Sequence, residues 1–454
     1  GFATEMAQQK QRAREAGKFA VDYNSIVKLD TPSAFEGYRS EQRDGVSGQG
    51  RIVALYRDGQ PVQVLNEGDE GLIVLDRTPF YAESGGQVGD TGLLTGAHGV
   101  FEVQDTKKSG GAIVHQGVVT LGRIEAGQDM QAQVQADLRE ATARNHSATH
   151  LLHAALREIL GEHVSQKGSL VAASVLRFDF GHDQAVSPEQ LRQIERRVNQ
   201  EIVANHPVST EEMDLESAKN RGAMMLFGEK YGDRVRVLAM GSKKDQREYS
   251  IELCGGTHVQ RTGDIGLFKI TSEGGIAAGI RRIEALTGLN ALAHVQTADQ
   301  QLSQITSLTK ASREQAFERV SALSERSREL EKQIERLNQK LASAQSAELL
   351  AQTQTLHGIK VLVAMVDGLD GKALRTLHDS VKSRQGDGVI VLASGSLLLP
   401  DDPDDYFIVF GVKGLLQASK NVKNALLFNV LSFMSDKLLT EAHALFLKLK
   451  PGQP

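Results

Sequence analysis

The chain has 454 residues, enough for about three domains and several buried cores. Its 52 basic residues stand against 57 acidic ones, a net charge of −5, so no global basic field marks it as a nucleic-acid binder and basic patches have to be sought locally. One cysteine, Cys254, excludes an intramolecular disulfide and fits a reducing compartment, and no apolar run reaches the ~18 residues of a membrane span.

The chain opens Gly1-Phe2, without an initiator methionine or a signal-peptide pattern, and reads as a fragment. Residues 1–29 read as a charged helix with nothing to cap its start. From Thr31-Pro32 to about residue 135 the texture changes to short β-rich runs at 51–56, 61–65, 72–75, 100–103 and 113–114. Asp58-Gly59, Gly85-Gly86 and Gly110-Gly111 punctuate them, and the spacing predicts a small antiparallel barrel or sandwich. Residues 139–160 then form one helix with Leu151, Leu152, Ala155 and Leu156 on its apolar side. Strands are expected near 170–171, 175–180, 234–240, 249–253 and 266–271. A helix is expected from Ser187-Pro188-Glu189, with serine as N-cap and proline at the first position. Ala316, Val320, Leu323, Ser327, Leu330, Ile334, Leu337 and Leu341 recur at 4-3 spacing, the seam of a coiled coil formed by an intrachain hairpin or a dimer. Buried strands at 361–365 and 389–392, with a helix at 371–383 between them, give a βαβ-like unit. The fold class is therefore α+β. It comprises a helical remnant (1–30), a small β-barrel (31–135), an α+β domain (136–293), a helical coiled-coil linker (294–356) and a C-terminal α/β domain (357–454).

His146-Ser-Ala-Thr-His150 puts two imidazoles one helical turn apart on one face. Alone this is weak, since thirteen histidines give ~0.4 such pairs by chance. Cys254-Gly-Gly-Thr-His258 repeats the spacing with the only thiol, and its two glycines would let the backbone turn until both side chains face one point. One thiolate with three imidazoles is a zinc set, because soft sulfur argues against magnesium and calcium. Spacing leaves open whether such a site is closed and structural or open and catalytic. His153 is an alternative ligand, a partner of one, or a packing residue. A zinc-protease mechanism lacks its base, since position 147 is serine where glutamate is required. The glycine cluster Thr78–Gly92 lacks the Gly-Lys-Ser/Thr of a phosphate loop and reads as a barrel turn or a backbone-amide nest. From Lys219 to Glu248 eight basic residues stand against four acidic ones, and Arg281-Arg282 add more; a nucleic-acid backbone could follow this surface, or the charge is simply solvated.

Six blocks taken together resemble the alanyl-tRNA synthetase family, bacterial type. They are Phe80-Tyr-Ala-Glu-Ser-Gly-Gly-Gln-Val-Gly-Asp90, Arg144-Asn-His-Ser-Ala-Thr-His-Leu-Leu-His153, Ser165-Gln-Lys-Gly-Ser-Leu170, Leu253-Cys-Gly-Gly-Thr-His258, Arg261-Thr-Gly-Asp-Ile-Gly266 and Arg281-Arg-Ile-Glu284. The resemblance runs to about residue 395. It implies a zinc-dependent editing domain that hydrolyses seryl- and glycyl-tRNA(Ala), one Zn2+ on His146, His150, Cys254 and His258, and pocket residues Thr149 and Gln166, with Cys254 counted in the catalytic set. It also implies tRNA(Ala) as partner and a cytoplasmic setting; from the basic stretches Lys230, Arg234, Arg281 and Arg282 are the candidate tRNA contacts, and the heptad seam with the last domain is the candidate homodimer contact. The aminoacylation domain and its ATP would precede residue 1. The family's glycine-rich segment with an Arg-Pro-Asp element is missing from the end, residues from about Leu397 depart from the pattern, and 243–247 reads as a loop insertion. A free-standing trans-editing deacylase, or a non-catalytic tRNA-binding and dimerising module, are the alternatives. Thr149 is the first candidate for sensing a serine hydroxyl and Gln166 the second, while a mid-helix threonine can instead bond its own helix backbone.

Overall fold

The computed structural model describes residues 32–40, 44–225, 232–242, 248–356, 358–366, 369, 371–395 and 406–413. The helix expected at 1–29, the 243–247 insertion and most of the tail after 395 lie outside them. The chain falls into two compact units, Gly1–Gln301 and Leu302–Pro454.

The first unit begins with the barrel. β1 (Ala34–Phe35) pairs with β6 (Arg77–Thr78) beside it. Six strands close the ring: β2 (Ser47–Arg57), β5 (Glu70–Leu75), β7 (Gly92–Thr95), β8 (Gly99–Ser109), β9 (Ala112–Glu125) and β10 (Asp129–Val134). Short β3 (Gln60–Val62) folds back antiparallel on the end of β2, and β4 (Val64–Asn66) pairs with β9. Asp58 and Gly59 both take positive φ, so the β2–β3 hairpin closes on the two-residue turn whose twist matches its strands. Inward residues Ile52, Leu55, Ile73, Leu75, Leu94 and Phe101 fill the barrel. β7 and β10 escaped the sequence reading. β10 alternates exposed Asp129, Gln131 and Gln133 with buried Met130, Ala132 and Val134, and methionine and alanine carry little strand signal.

Helix α1 (Ala136–Leu160) follows directly, then β11 (Gln166–Val171), β12 (Leu176–Gly181), α2 (Pro188–Ala204), β13 (Ser209–Asp214), α3 (Leu215–Asn220), β14 (Arg234–Met240) and β15 (Ser250–Leu253). A short 3-10 turn (Thr262–Ile265) leads to β16 (Phe268–Ala277), β17 (Ile280–Thr287) and α4 (Gly288–Thr309). The Ser187 start holds as a capping box: the Ser187 side chain accepts from the Gln190 amide and the Gln190 side chain answers the Ser187 amide. The antiparallel sheet β11-β12-β17-β16 buries Phe178, Phe180 and Ile283 against Leu151, Leu152 and Leu156 of α1 and Ile194 and Val198 of α2. A second sheet, β13-β14-β15, carries the chain to Cys254.

In the second unit α5 (Ala316–Leu350) is a 35-residue helix. Its seam residues Val320, Leu323, Leu330, Ile334, Leu337 and Leu341 are all at least 45% exposed, so no described segment covers them. Its last turns behave differently, since Ala342 and Leu349 enter the core of the terminal domain. There β18 (Gln354–Leu356), β19 (Ile359–Met365), β20 (Gly388–Gly395) and β21 (Tyr406–Lys413) form one sheet. β19 and β20 run parallel, joined through α6 (Gly371–Gln385), as a βαβ unit requires. The 294–356 segment is therefore two helices interrupted at 310–315, the second anchored at its end in the terminal core, and the segment's last residues form β18 of the terminal sheet. No helix among the described residues is long and apolar enough to cross a membrane.

Candidate metal centre

The middle of α1, residues 145–153, is buried on every side, which an isolated amphipathic helix would not be. Asn145, His146, Ser147, Thr149, His150 and His153 are all at most 7% exposed. Each polar group there needs a partner. The Asn145 amide donates to the Ala172 carbonyl at 2.6 Å and accepts from the Thr287 hydroxyl at 2.7 Å, locking the helix to the sheet. At the helix start, buried Arg139 grips buried Asp90 with 3.0 Å bonds from Nε to both carboxylate oxygens. It also donates to the carbonyls of Gly37, Gly45 and Pro79 at 3.0, 2.9 and 2.7 Å.

His146, His150, Cys254 and His258 converge, with one ligand atom from each lying within 4.8 Å of the others. Nε2 of His146 is 3.5 Å and Nε2 of His258 3.2 Å from Cys254 Sγ. The opposite ring nitrogens are held from outside. His146 Nδ1 meets Gln87 Oε1 at 2.8 Å, His150 Nδ1 meets Glu252 Oε2 at 2.8 Å, and His258 Nδ1 meets Ser147 Oγ at 3.1 Å. Nε2 of His150 is buried without a hydrogen-bond partner. A buried imidazole with one nitrogen on a carboxylate and the other unpartnered toward a thiol and two further imidazoles is the donor arrangement of a tetrahedral metal site. The residues present fit a metal ion, and the sulfur and nitrogen set is compatible with zinc.

The electrostatics agree. Burial would raise the Cys254 thiol, yet the three neighbouring imidazoles hold it well below its ordinary value. Burial would likewise lower His150, but Glu252 and Cys254 push it up to about 10. Burial drives His258 down to about 3. Glu252, buried against His150, is held below the ordinary carboxylate range.

The loop after β15 does bring Cys254 and His258 to one point, and neither Gly255 nor Gly256 takes a positive φ to do so. Gly256 is required because a Cβ there would run into the His146 ring. The loop is held by Arg236, which donates to the carbonyls of Cys254 and Gly256 at 2.9 and 3.0 Å and lies 4.1 Å over the Tyr38 ring. The Tyr38 hydroxyl in turn donates to the Gly255 carbonyl at 2.6 Å. The amide of Gly256 approaches Cys254 Sγ at 3.4 Å and favours the thiolate.

Thr149 donates its hydroxyl to the Asn145 carbonyl at 2.8 Å, the backbone bond of a mid-helix threonine. Gln166 lies at the start of β11, its amide nitrogen 3.1 Å from Ser169 Oγ. His153 sits under the cluster with Nδ1 3.3 Å from Glu252 Oε1, out of line for a hydrogen bond, and it is not among the converging ligands. Of the basic residues, Lys230 lies outside the described residues and Arg234 is exposed at the start of β14. Arg281 is paired with Glu273, and Arg282 forks Asp179 at 2.7 and 2.8 Å across its register partner on β12. Both guanidinium charges are thus offset by carboxylates. The Arg282 partner is remote in sequence, Asp179 lying 103 positions before it. Gln87, Glu252, Ser147 and Arg236 also escaped singling out, although Gln87 and Ser147 lie inside the quoted blocks.

Comparison with known proteins bears on these segments. Residues 1–138 match the family model described as tRNA synthetases class II (A), and residues 235–284 match threonyl and alanyl tRNA synthetase second additional domain. The chain is homologous to alanine–tRNA ligases. It is 55% identical over 395 residues to that of Psychrobacter arcticus, 57% over 396 to that of Psychrobacter sp. strain PRwf-1, and 54% over 394 to that of Pseudomonas fluorescens. These matches cover 86–87% of the chain and 43–44% of each relative, so the chain spans less than half the length of the ligases it matches. Two of the four converging side chains, Cys254 and His258, lie inside the second additional domain match, and the other two come from α1.

Proposed function

We propose that this chain is the editing portion of an alanyl-tRNA synthetase, a deacylase that hydrolyses Ser-tRNA(Ala) and Gly-tRNA(Ala), working in the cytoplasm with one zinc ion on His146, His150, Cys254 and His258. The observation that carries it is the convergence of those four side chains, two of them within the second additional domain match. The reaction has a physical reason. A pocket built for alanine admits glycine, discriminated by only ~1–3 kcal/mol per methylene, and rejects serine by only ~10², so a second hydrolytic site is needed.

Zinc held there would supply positive charge to anchor the aminoacyl ester or polarise it. The chain's own residues supply the rest. Gln87, Glu252 and Ser147 fix the rings, and Arg236 and Tyr38 fix the loop that carries Cys254 and His258. Because the Thr149 hydroxyl donates to Asn145, it meets a serine hydroxyl as an acceptor, and Gln166 adds an amide from β11. Arg234 and Lys230 offer the backbone charge, with Arg281 and Arg282 contributing less while they stay paired. The exposed seam of α5 is the proposed dimer contact.

The test is release of serine from Ser-tRNA(Ala) by the zinc-loaded chain, with Cys254→Ala and His258→Ala combined as the control for zinc content and rate. Hydrolysis that follows zinc supports the reading. No hydrolysis by a chain holding one zinc refutes it, and stoichiometric zinc in the double variant refutes the ligand set.

A further inference from the structure

Gln87 belongs to the loop between β6 and β7, in the barrel, yet it is fully buried against α1 and the Cys254 loop. Its side chain makes three contacts. Oε1 accepts from the backbone N–H of Thr257 at 2.9 Å, Nε2 donates to the Thr257 hydroxyl at 2.8 Å, and Oε1 also lies 2.8 Å from His146 Nδ1. These contacts leave no freedom in the hydrogen positions. A backbone N–H can only donate, so the amide atom facing Thr257 N is the oxygen. An amide oxygen can only accept, so His146 Nδ1 must carry a hydrogen. An imidazole with its hydrogen committed at Nδ1 presents Nε2 for coordination, and Nε2 is the atom facing Cys254 Sγ.

We propose that Gln87 is a positioning residue of the metal centre. Its carboxamide oxygen, referenced to the Thr257 backbone amide, selects the hydrogen position of His146 and aims Nε2 at the metal. The inference rests on reading the four side chains as a metal site. It differs from the carboxylate contact of His150, because a neutral group from another domain sets the ring. The device also ties the two ligand-bearing segments together. One oxygen holds a ligand of α1 and the backbone beside His258, so barrel, helix and loop reach ligand geometry together.

The experiment compares the wild-type chain with Gln87→Met and Gln87→Glu. Methionine keeps the length and removes the acceptor, whereas glutamate keeps an acceptor for both Thr257 N–H and His146 Nδ1. Zinc affinity is read by competition with a chromophoric chelator, the cobalt-loaded visible spectrum reports ligand geometry, and far-ultraviolet circular dichroism reports folding. Gln87→Met should weaken zinc by ~10- to 100-fold, the effect of removing a partner that orients a ligand, and should alter the cobalt spectrum. Gln87→Glu should stay within about threefold of wild type or bind more tightly. Wild-type affinity in Gln87→Met overturns the proposal. So does equal weakening in both variants, which would mean that the amide only packs. Should Gln87→Met not fold, the long-range 15N spectrum of the metal-free wild-type chain decides alone. A hydrogen on His146 Nδ1 supports the assignment and a bare Nδ1 overturns it. Serine release by the wild type is scored separately, so a zinc-loaded chain that fails to deacylate sinks the editing reading and leaves the Gln87 comparison standing.

Discussion

Two adjacent glycines in the Cys254 loop should respond oppositely to the same substitution. At Gly256 an added Cβ would stand 2.8 Å from Gln87 Oε1, and closer still to Cε1 and Nδ1 of the His146 ring. Ordinary contact begins at 3.4 Å, so Gln87 alone must give by about 0.6 Å and the ring by more. Ligand distances in a zinc site tolerate only about 0.2 Å. The ring cannot retreat without leaving the centre, and if the loop moves instead, Cys254 and His258 leave it. Gly256→Ala should therefore weaken zinc by at least ~10- to 100-fold, the loss seen when a ligand's orientation is disturbed. At Gly255 the nearest atom to an added Cβ is the Tyr38 hydroxyl at 4.0 Å, and the backbone there is not left-handed. Gly255→Ala should keep zinc within about threefold, since no partner of a ligand is disturbed. The assay is chelator competition on both variants, with melting curves to check the fold. Equal zinc affinity in the two variants would refute the close-approach argument and return the glycines to a role in chain turning.

Arg139→Met should destabilise the first unit by roughly 3–5 kcal/mol, because it strands buried Asp90 and three carbonyls. Urea unfolding measures it, and a loss under about 1 kcal/mol would mean that the cluster rearranges at little cost. Thr149→Val removes an acceptor worth about 0.5–1.5 kcal/mol, so serine release should fall about 2- to 13-fold while glycine release falls less; equal losses with zinc retained would shift substrate sensing to Gln166. Leu330→Glu with Leu337→Glu should convert a sedimenting dimer into monomer without altering zinc content, and an unchanged sedimentation coefficient would remove α5 as the dimer contact.

The four side chains that converge were legible as a group because each pair lies within one short segment. The spacing of His146 and His150 is a helical turn, and the lone Cys254 stands four positions before His258. Their supports were not legible, since Gln87 and Glu252 reach their imidazoles across 59 and 102 positions and only the folded barrel and sheet bring them there. The partner of Arg282 was equally illegible, since Asp179 reaches it across 103 positions, whereas Glu273 stands only eight positions before Arg281 on the adjoining strand. Elements with strong local chemistry were readable: the Asp58-Gly59 turn, the Ser187 cap and the parallel pair β19–β20. β13, with mostly exposed Ser209-Thr-Glu-Glu-Met-Asp214, carried no apolar alternation to announce it. The α5 seam was readable as a pattern, but a 4-3 repeat states which face wants covering and not what covers it.

The charges around the centre predict how zinc binding depends on pH. Before metal enters, Cys254 and Glu252 are held in their anionic forms, and His150, pushed up to about 10, carries the compensating positive charge. His258, driven down to about 3, is already neutral at working pH. A metal ligand must present a lone pair, so zinc entry has to displace the His150 proton, whereas the thiol has none to give. The sign follows. His150 is protonated below about 10, so each unit of rising pH makes its proton about tenfold easier to displace, and zinc affinity should climb about tenfold per unit across pH 6 to 9. Two anions facing one divalent ion leave the buried site near neutrality, which is why the exchange of a proton for zinc is tolerable inside a dry core. Chelator competition at a series of pH values, with proton release measured in two buffers by calorimetry, gives the slope directly. A slope near two would show that Cys254 enters as a thiol, and a flat profile would show that His150 is already neutral. Either result would refute the charge assignment.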